Sequence, residues 1–146
     1  MKSFKKKSIA KVGWFAPRLS KDNHYEDLHL IETMEMLRLE ETLKSSTFRN
    51  LMIEELNSQG QRDPVTKIRF LVSLDEYEKC DNKQEKRLKG CKIVATFFQQ
   101  GSSLQLMGIP HFCEVELQNL EFEAFRLVKN IFLQELVYNP IIKSFL

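Results

Sequence analysis

The stretch "IRFLVSLDEYEK", Ile68 to Lys79, decides how the chain is read. An apolar run passes directly into an acidic and aromatic tail, with no turn residue between. Ile68, Leu71 and Val72 fall on one face at helical spacing, and Leu74 and Tyr77 continue nearby. Asp63-Pro64 just upstream predicts the start of this helix, with Asp63 at the N-cap and Pro64 in the first position.

The same period extends on both sides. From Tyr25 to Leu43, the residues Leu28, Ile31, Met34 and Leu37 recur every third position between Glu and Arg. "KSST" interrupts, and Thr47 is expected to cap a helix carrying Phe48, Leu51, Met52 and Leu56. "NSQGQRDP", Asn57 to Pro64, reads as a loop, and "KCDNKQEKR", Lys79 to Arg87, as a charged connection. A further helix carries Leu88, Cys91, Ile93, Val94, Phe97 and Phe98 before "QQGSS" breaks the chain. "LQLMGI", Leu104 to Ile109, alternates briefly like a strand. With no partner strand in sight it is expected to be an extended connector. Pro110 opens a short helix with Phe112, Val115 and Leu117. The broadest apolar face runs from Phe122 to Val137, ending at Asn139-Pro140. "IIKSFL" starts another apolar segment, and the abrupt end suggests a domain cut from a longer chain. The prediction is an all-α domain over residues 25–146, preceded by a basic, flexible arm over 1–24.

Composition agrees. The 146 residues suit one domain, and 11 Phe against 5 Gly and 4 Pro favour helices over a turn-rich sandwich. A net charge of +2 argues against nucleic acid as a partner. The cations that cluster, from Lys2 to Lys11, read first as a solvated arm and second as a weak anchor to an acidic membrane surface. No signal peptide and no apolar run of membrane-spanning length stand out. Cys80, Cys91 and Cys113 are odd in number and widely spaced, and are expected as reduced thiols in a cytoplasmic protein. His111 lies two residues before Cys113, but no CxxC or HExxH accompanies them, so no metal site is expected and His111 reads as a surface or capping residue. No Gly-rich phosphate loop or nucleophile motif is present. Neither a catalytic residue nor a cofactor is expected.

Beyond periodicity, "FRNLMIEE" (Phe48 to Glu55) followed by "IRFLVSLDEYEK" resembles the core of a regulator-of-G-protein-signalling domain. That family carries the pattern Glu-Asn-Ile-x-Phe-Trp-x-x-Cys-Glu-x-Tyr-Lys-Lys, which Ile68, Phe70, Asp75, Tyr77 and Lys79 fit in register, with Leu71 in place of the tryptophan. "GCKIVATFF" is similar to the next family helix. "FEAFRLVKNIFLQELVYNPIIKSFL" is similar to the closing one, with Tyr138, Ile141, Ile142 and Lys143 matching its tyrosine-to-lysine end. The likeness runs from about Met34 to Leu146. It implies a monomeric bundle of about nine helices that binds a Gα subunit through three interhelical loops.

Such domains accelerate GTP hydrolysis without supplying a catalytic side chain. The arginine finger belongs to Gα, and the domain grips its mobile switch segments in their transition-state arrangement. The resemblance places Thr66 and Lys67 where the family has its Glu-Asn pair. A second family asparagine falls near Met107 or Gly108, the Asp-Ser near the end becomes Leu136-Val137, and an arginine becomes Pro140. Lys67 cannot orient a partner glutamine as an asparagine does. Several lost polar contacts, at roughly 1–3 kcal/mol each, predict weak or absent GTPase acceleration. Leu136, Val137 and Pro140 either turn a polar rim apolar or are buried by a shifted loop. The alternative function is the same fold serving as a scaffold for a protein other than Gα.

Overall fold

The computed structural model describes residues 21–146, with side chains from Asp27 onward. The basic arm, Trp14 and Phe15 lie outside the described residues. Seven helices and no strand are found among the described residues: α1 (Lys21–Lys44), α2 (Ser46–Ser58), α3 (Arg62–Lys79), α4 (Lys83–Phe97), α5 (His111–Gln118), α6 (Ala124–Leu136) and α7 (Pro140–Lys143). The all-α class is therefore observed, with fewer helices here than the nine that the resemblance implies. The chain divides into two compact units, one ending at Glu35 and one from Met36 to Leu146. In the first unit Leu28, Leu30, Ile31 and Met34 are all exposed along α1.

The helix starts correct the sequence reading in three places. Ser45, not Thr47, caps α2, accepting a hydrogen bond from Phe48 N–H at 3.5 Å. Gln61 occupies the N-cap of α3 with no side-chain cap, and Asp63 instead sits in the first turn. There its charge favours the positive end of the helix dipole and reaches Lys67. The charged connection is largely helical: α4 begins at Lys83 because Asn82 Oδ1 accepts from Glu85 N–H at 2.9 Å. The stretch from Leu104 to Ile109 forms no strand and no helix; Leu104 lies in a turn, Gly108 takes φ +85, and Leu106 N–H ties the stretch back by donating to the Phe97 carbonyl at 2.7 Å.

The core forms around Phe70, which is fully buried in the middle of α3. Four rings surround it. Phe97, Phe98 and Phe132 meet it edge-on at centroid distances of 5.7, 5.3 and 5.5 Å, and Phe125 is tilted at 6.2 Å. Edge-to-face contact sets the positive ring edge against the negative face and contributes about 0.5–1.5 kcal/mol per pair beyond area burial. Ile68 and Leu74 flank Phe70 on the same helix, and Leu39, Met52, Leu117, Val128 and Ile142 bring the other helices to it. Gly90 on α4 permits a second close approach. A methyl group there would lie 2.7 Å from Cε2 of Phe122, whose ring stacks on Phe125 at 5.4 Å.

Phe70→Ala is expected to cost about 3–5 kcal/mol in urea unfolding, because four rings lose their common partner. A loss below about 1 kcal/mol would place Phe70 outside the core. Gly90→Ala gains about 1 kcal/mol of helix propensity but overpacks the Phe122 ring at about 1–3 kcal/mol, so a net destabilisation is expected.

Candidate functional site

The end of the second unit where the α2–α3 turn meets the α6–α7 turn holds most of the positions implied by the resemblance. Gly60 adopts φ +72 in the first turn, a left-handed conformation that glycine takes without steric cost. In the second, Asn139 uses its whole amide. Its Oδ1 accepts from Ile141 N–H at 2.9 Å and Ile142 N–H at 3.2 Å, capping α7, and its Nδ2 donates to Gln61 Oε1 at 2.7 Å. One side chain thus starts a helix and links two loops 78 positions apart in sequence.

Lys67 lies one turn inside α3. Its Nζ is 2.6 Å from Glu135 Oε1 and 2.7 Å from Asp63 Oδ2, and 5.2 Å from the centre of the Phe132 ring. The side chain is 11% exposed, whereas the carboxylates of Glu135 and Asp63 remain well exposed. Burial pulls the ammonium pKa down, but the hydrogen bonds and charges of Asp63 and Glu135 outweigh it, and the net shift is upward from 10.5. The Thr66 hydroxyl donates to the Arg62 carbonyl at 3.1 Å, an in-helix bond that occupies its proton. The polar groups at both positions are thus already engaged within the domain.

Leu136 and Val137 are 2% and 0% exposed. They continue the face of Phe132 and Leu133 and point into the core, so of the two alternatives for these residues, burial is what the structure has. Pro140 is exposed at the start of α7. Met107 is exposed, and Gly108, at φ +85, has nothing within 4 Å of where a Cβ would stand. Among the described residues no hydrogen bond or ion pair ties Met107 or Gly108 to the Lys67 and Asn139 cluster. The structure therefore brings Thr66, Lys67, Leu136, Val137 and Pro140 to one end, but only Pro140 among the last three offers surface.

Sequence reasoning missed Glu135, Asp63 and Gln61 as members of this end. The Asp63–Lys67 pair was legible, since an acid four residues before a lysine is a favoured helical pair. The Lys67–Glu135 pair, across 68 positions, was not.

No group of His, Cys, Asp or Glu among the described residues has the arrangement of a metal site. His111 is 89% exposed beside Glu114, which suits the surface role expected of it. Cys80, Cys91 and Cys113 form no disulfide. No described helix is long and apolar enough to cross a membrane. This end presents two exposed carboxylates beside a capped turn, groups that a partner can contact. The chain matches no protein-family model, no curated protein and no solved structure.

Removing Lys67 leaves two carboxylates that water can solvate, so the cost is that of a partly exposed pair. A double-mutant cycle with Lys67→Met and Glu135→Gln is expected to give a coupling of about 1 kcal/mol, reduced in high salt. Because the folded pKa of Lys67 is raised, its stabilisation is fully present below pH 10.5 and is lost only as pH rises through the folded value. A coupling near zero at neutral pH, or one lost between neutral pH and pH 10, would contradict the ion pair.

Proposed function

We propose that this domain belongs to the regulator-of-G-protein-signalling type and engages a Gα subunit at its switch regions with little or no acceleration of GTP hydrolysis. It has no active site of its own. The observation that carries the reading is Phe70. The phenylalanine of the resembling motif "IRF" lies at the centre of the core, and each of the other resembling segments contributes to that core: Met52 from "FRNLMIEE", Phe97 and Phe98 from "GCKIVATFF", and Phe125, Phe132 and Ile142 from the closing segment. Independent motifs in one contiguous core support a single fold-level origin for all of them.

The predicted loss of acceleration rests on Lys67. An asparagine both donates and accepts hydrogen bonds, and an ammonium only donates. Here its donors are already directed at Asp63 and Glu135. Reorienting it toward a partner would break both pairs, so the transition-state form of Gα would gain little over its ground state.

A second reading has its own support. Leu136 and Val137 are sealed in the core and Met107 is solvent-exposed, so the polar contacts of a Gα-facing surface are largely replaced. In that reading the domain is a scaffold for a different protein partner, acting in the cytoplasm or, through the basic segment Lys2–Lys11, near an acidic membrane.

The test is capture of a panel of Gα subunits, each loaded with GDP or with GDP and aluminium fluoride, followed by single-turnover hydrolysis. Capture with acceleration below about tenfold, or 1.4 kcal/mol of barrier, is expected. Larger acceleration would overturn the assignment given to Lys67. No capture in either state would transfer the fold to the scaffold reading.

A further inference from the structure

A second surface lies away from the α6–α7 turn, in a cleft of about 530 Å³ walled by α2, α3 and α4. Each wall contributes cations: Arg49 from α2, Arg69 from α3, and Lys89 and Lys92 from α4. Only one carboxylate, Glu76, faces them in the lining. The floor is apolar, with Val72, Ile93 and Phe97 continuous with the core. The spacing explains the convergence. Arg69, Val72 and Glu76 share one face of α3, and Lys89 and Lys92 share one face of α4. Arg49 is held in place by donating from Nη1 to the Leu43 carbonyl at 2.8 Å.

These cations differ from two other basic residues of the domain. Lys67 is paired with two carboxylates, and Lys129 reaches Glu40 at 2.9 Å and Glu78 at 3.4 Å. Among the described residues Arg49, Arg69, Lys89 and Lys92 have no carboxylate within ion-pair distance. Four like charges gathered around one cleft repel one another, and an anion in the cleft relieves that repulsion.

The geometry points to a binding site for an organic polyphosphate, a ligand with a carbon skeleton and two or more phosphate groups. Size and charge together select this class. The volume falls within the roughly 300–1,000 Å³ range of small-ligand pockets. Four cations against one carboxylate leave three net positive charges in the lining. A carboxylate carries one negative charge and a phosphate monoester about 1.5–2, so two phosphates match the cleft within its volume and one or two carboxylates do not. Arginine meets phosphate oxygens in a two-pronged fork and lysine meets them as a point charge. The apolar floor takes the carbon skeleton. This site is independent of the Gα reading.

Two sources supply that chemistry: a soluble polyphosphate and the headgroup of a phosphorylated lipid. Calorimetric titration of the domain with inositol hexakisphosphate tests the first. Co-sedimentation with phosphatidylcholine vesicles, with and without phosphatidylinositol bisphosphate, tests the second. Saturable one-site binding is expected in at least one arm, and binding to vesicles alone assigns the lipid source. Arg69→Glu with Lys92→Glu, and separately Lys89→Glu, is expected to weaken it about tenfold or more. Lys83→Glu, an exposed lysine on α4 outside the cleft, should leave it within about twofold. Circular dichroism checks that each variant folds, as it should where the altered side chains are exposed. Absence of binding in both arms, or an equal loss in the Lys83→Glu control, overturns the site.

Discussion

The Phe70 side chain sets the constraint on which the rest of the second unit depends. It lies mid-helix in α3, and the rings around it come from α4, from the residue that ends α4, and from α6. An edge-to-face cluster fixes distance and angle at once, which aliphatic contacts do not. Each helix docked on Phe70 therefore has its rotation set as well as its position. The outward faces of α3 and α4 then turn toward the α2 side and form the basic cleft as a by-product of the same packing.

That constraint carries through to the α6–α7 end. Lys67 precedes Phe70 by less than one turn, so a fixed α3 presents the lysine stem along the edge of the core. Its ammonium lies over Phe132, which is itself edge-on to Phe70. The chain bends away just beyond Glu135, where Val137 is buried and Asn139 caps α7 while reaching Gln61. The Asn139 amide joins the two turns and the Lys67 ammonium joins α3 to α6 beside them.

Much of the fold was legible in the sequence because it rests on local rules. The helical period of Ile68 to Tyr77, the loop at Gly60 and the break at Asn139-Pro140 are one-dimensional signals, and the structure carries them. Helix starts were less legible. Ser45 and Thr47 both have the side chain of a cap, and the choice between them depends on how the preceding chain enters the helix. Asp63 also had a cap's chemistry but was drawn into the first turn by Lys67. The site was least legible. Lys67 reads as a solvated charge until Glu135 is folded against it, and Leu136 and Val137 read as surface or core equally until α6 is oriented. The basic cleft was also hidden, because Arg49, Arg69, Lys89 and Lys92 are spread over three helices among ordinary surface charges.

The geometry of the second unit rests on the placement of the Phe70 ring. The direct measurement is the pattern of nuclear Overhauser contacts from its ring protons in the labelled domain. Contacts to the rings of Phe97, Phe98, Phe125 and Phe132 together are expected, since all four centroids lie within 6.2 Å. Contacts confined to neighbours within α3 would mean that the helices are not gathered on Phe70, and the geometry of both the Lys67 end and the basic cleft would lose its basis.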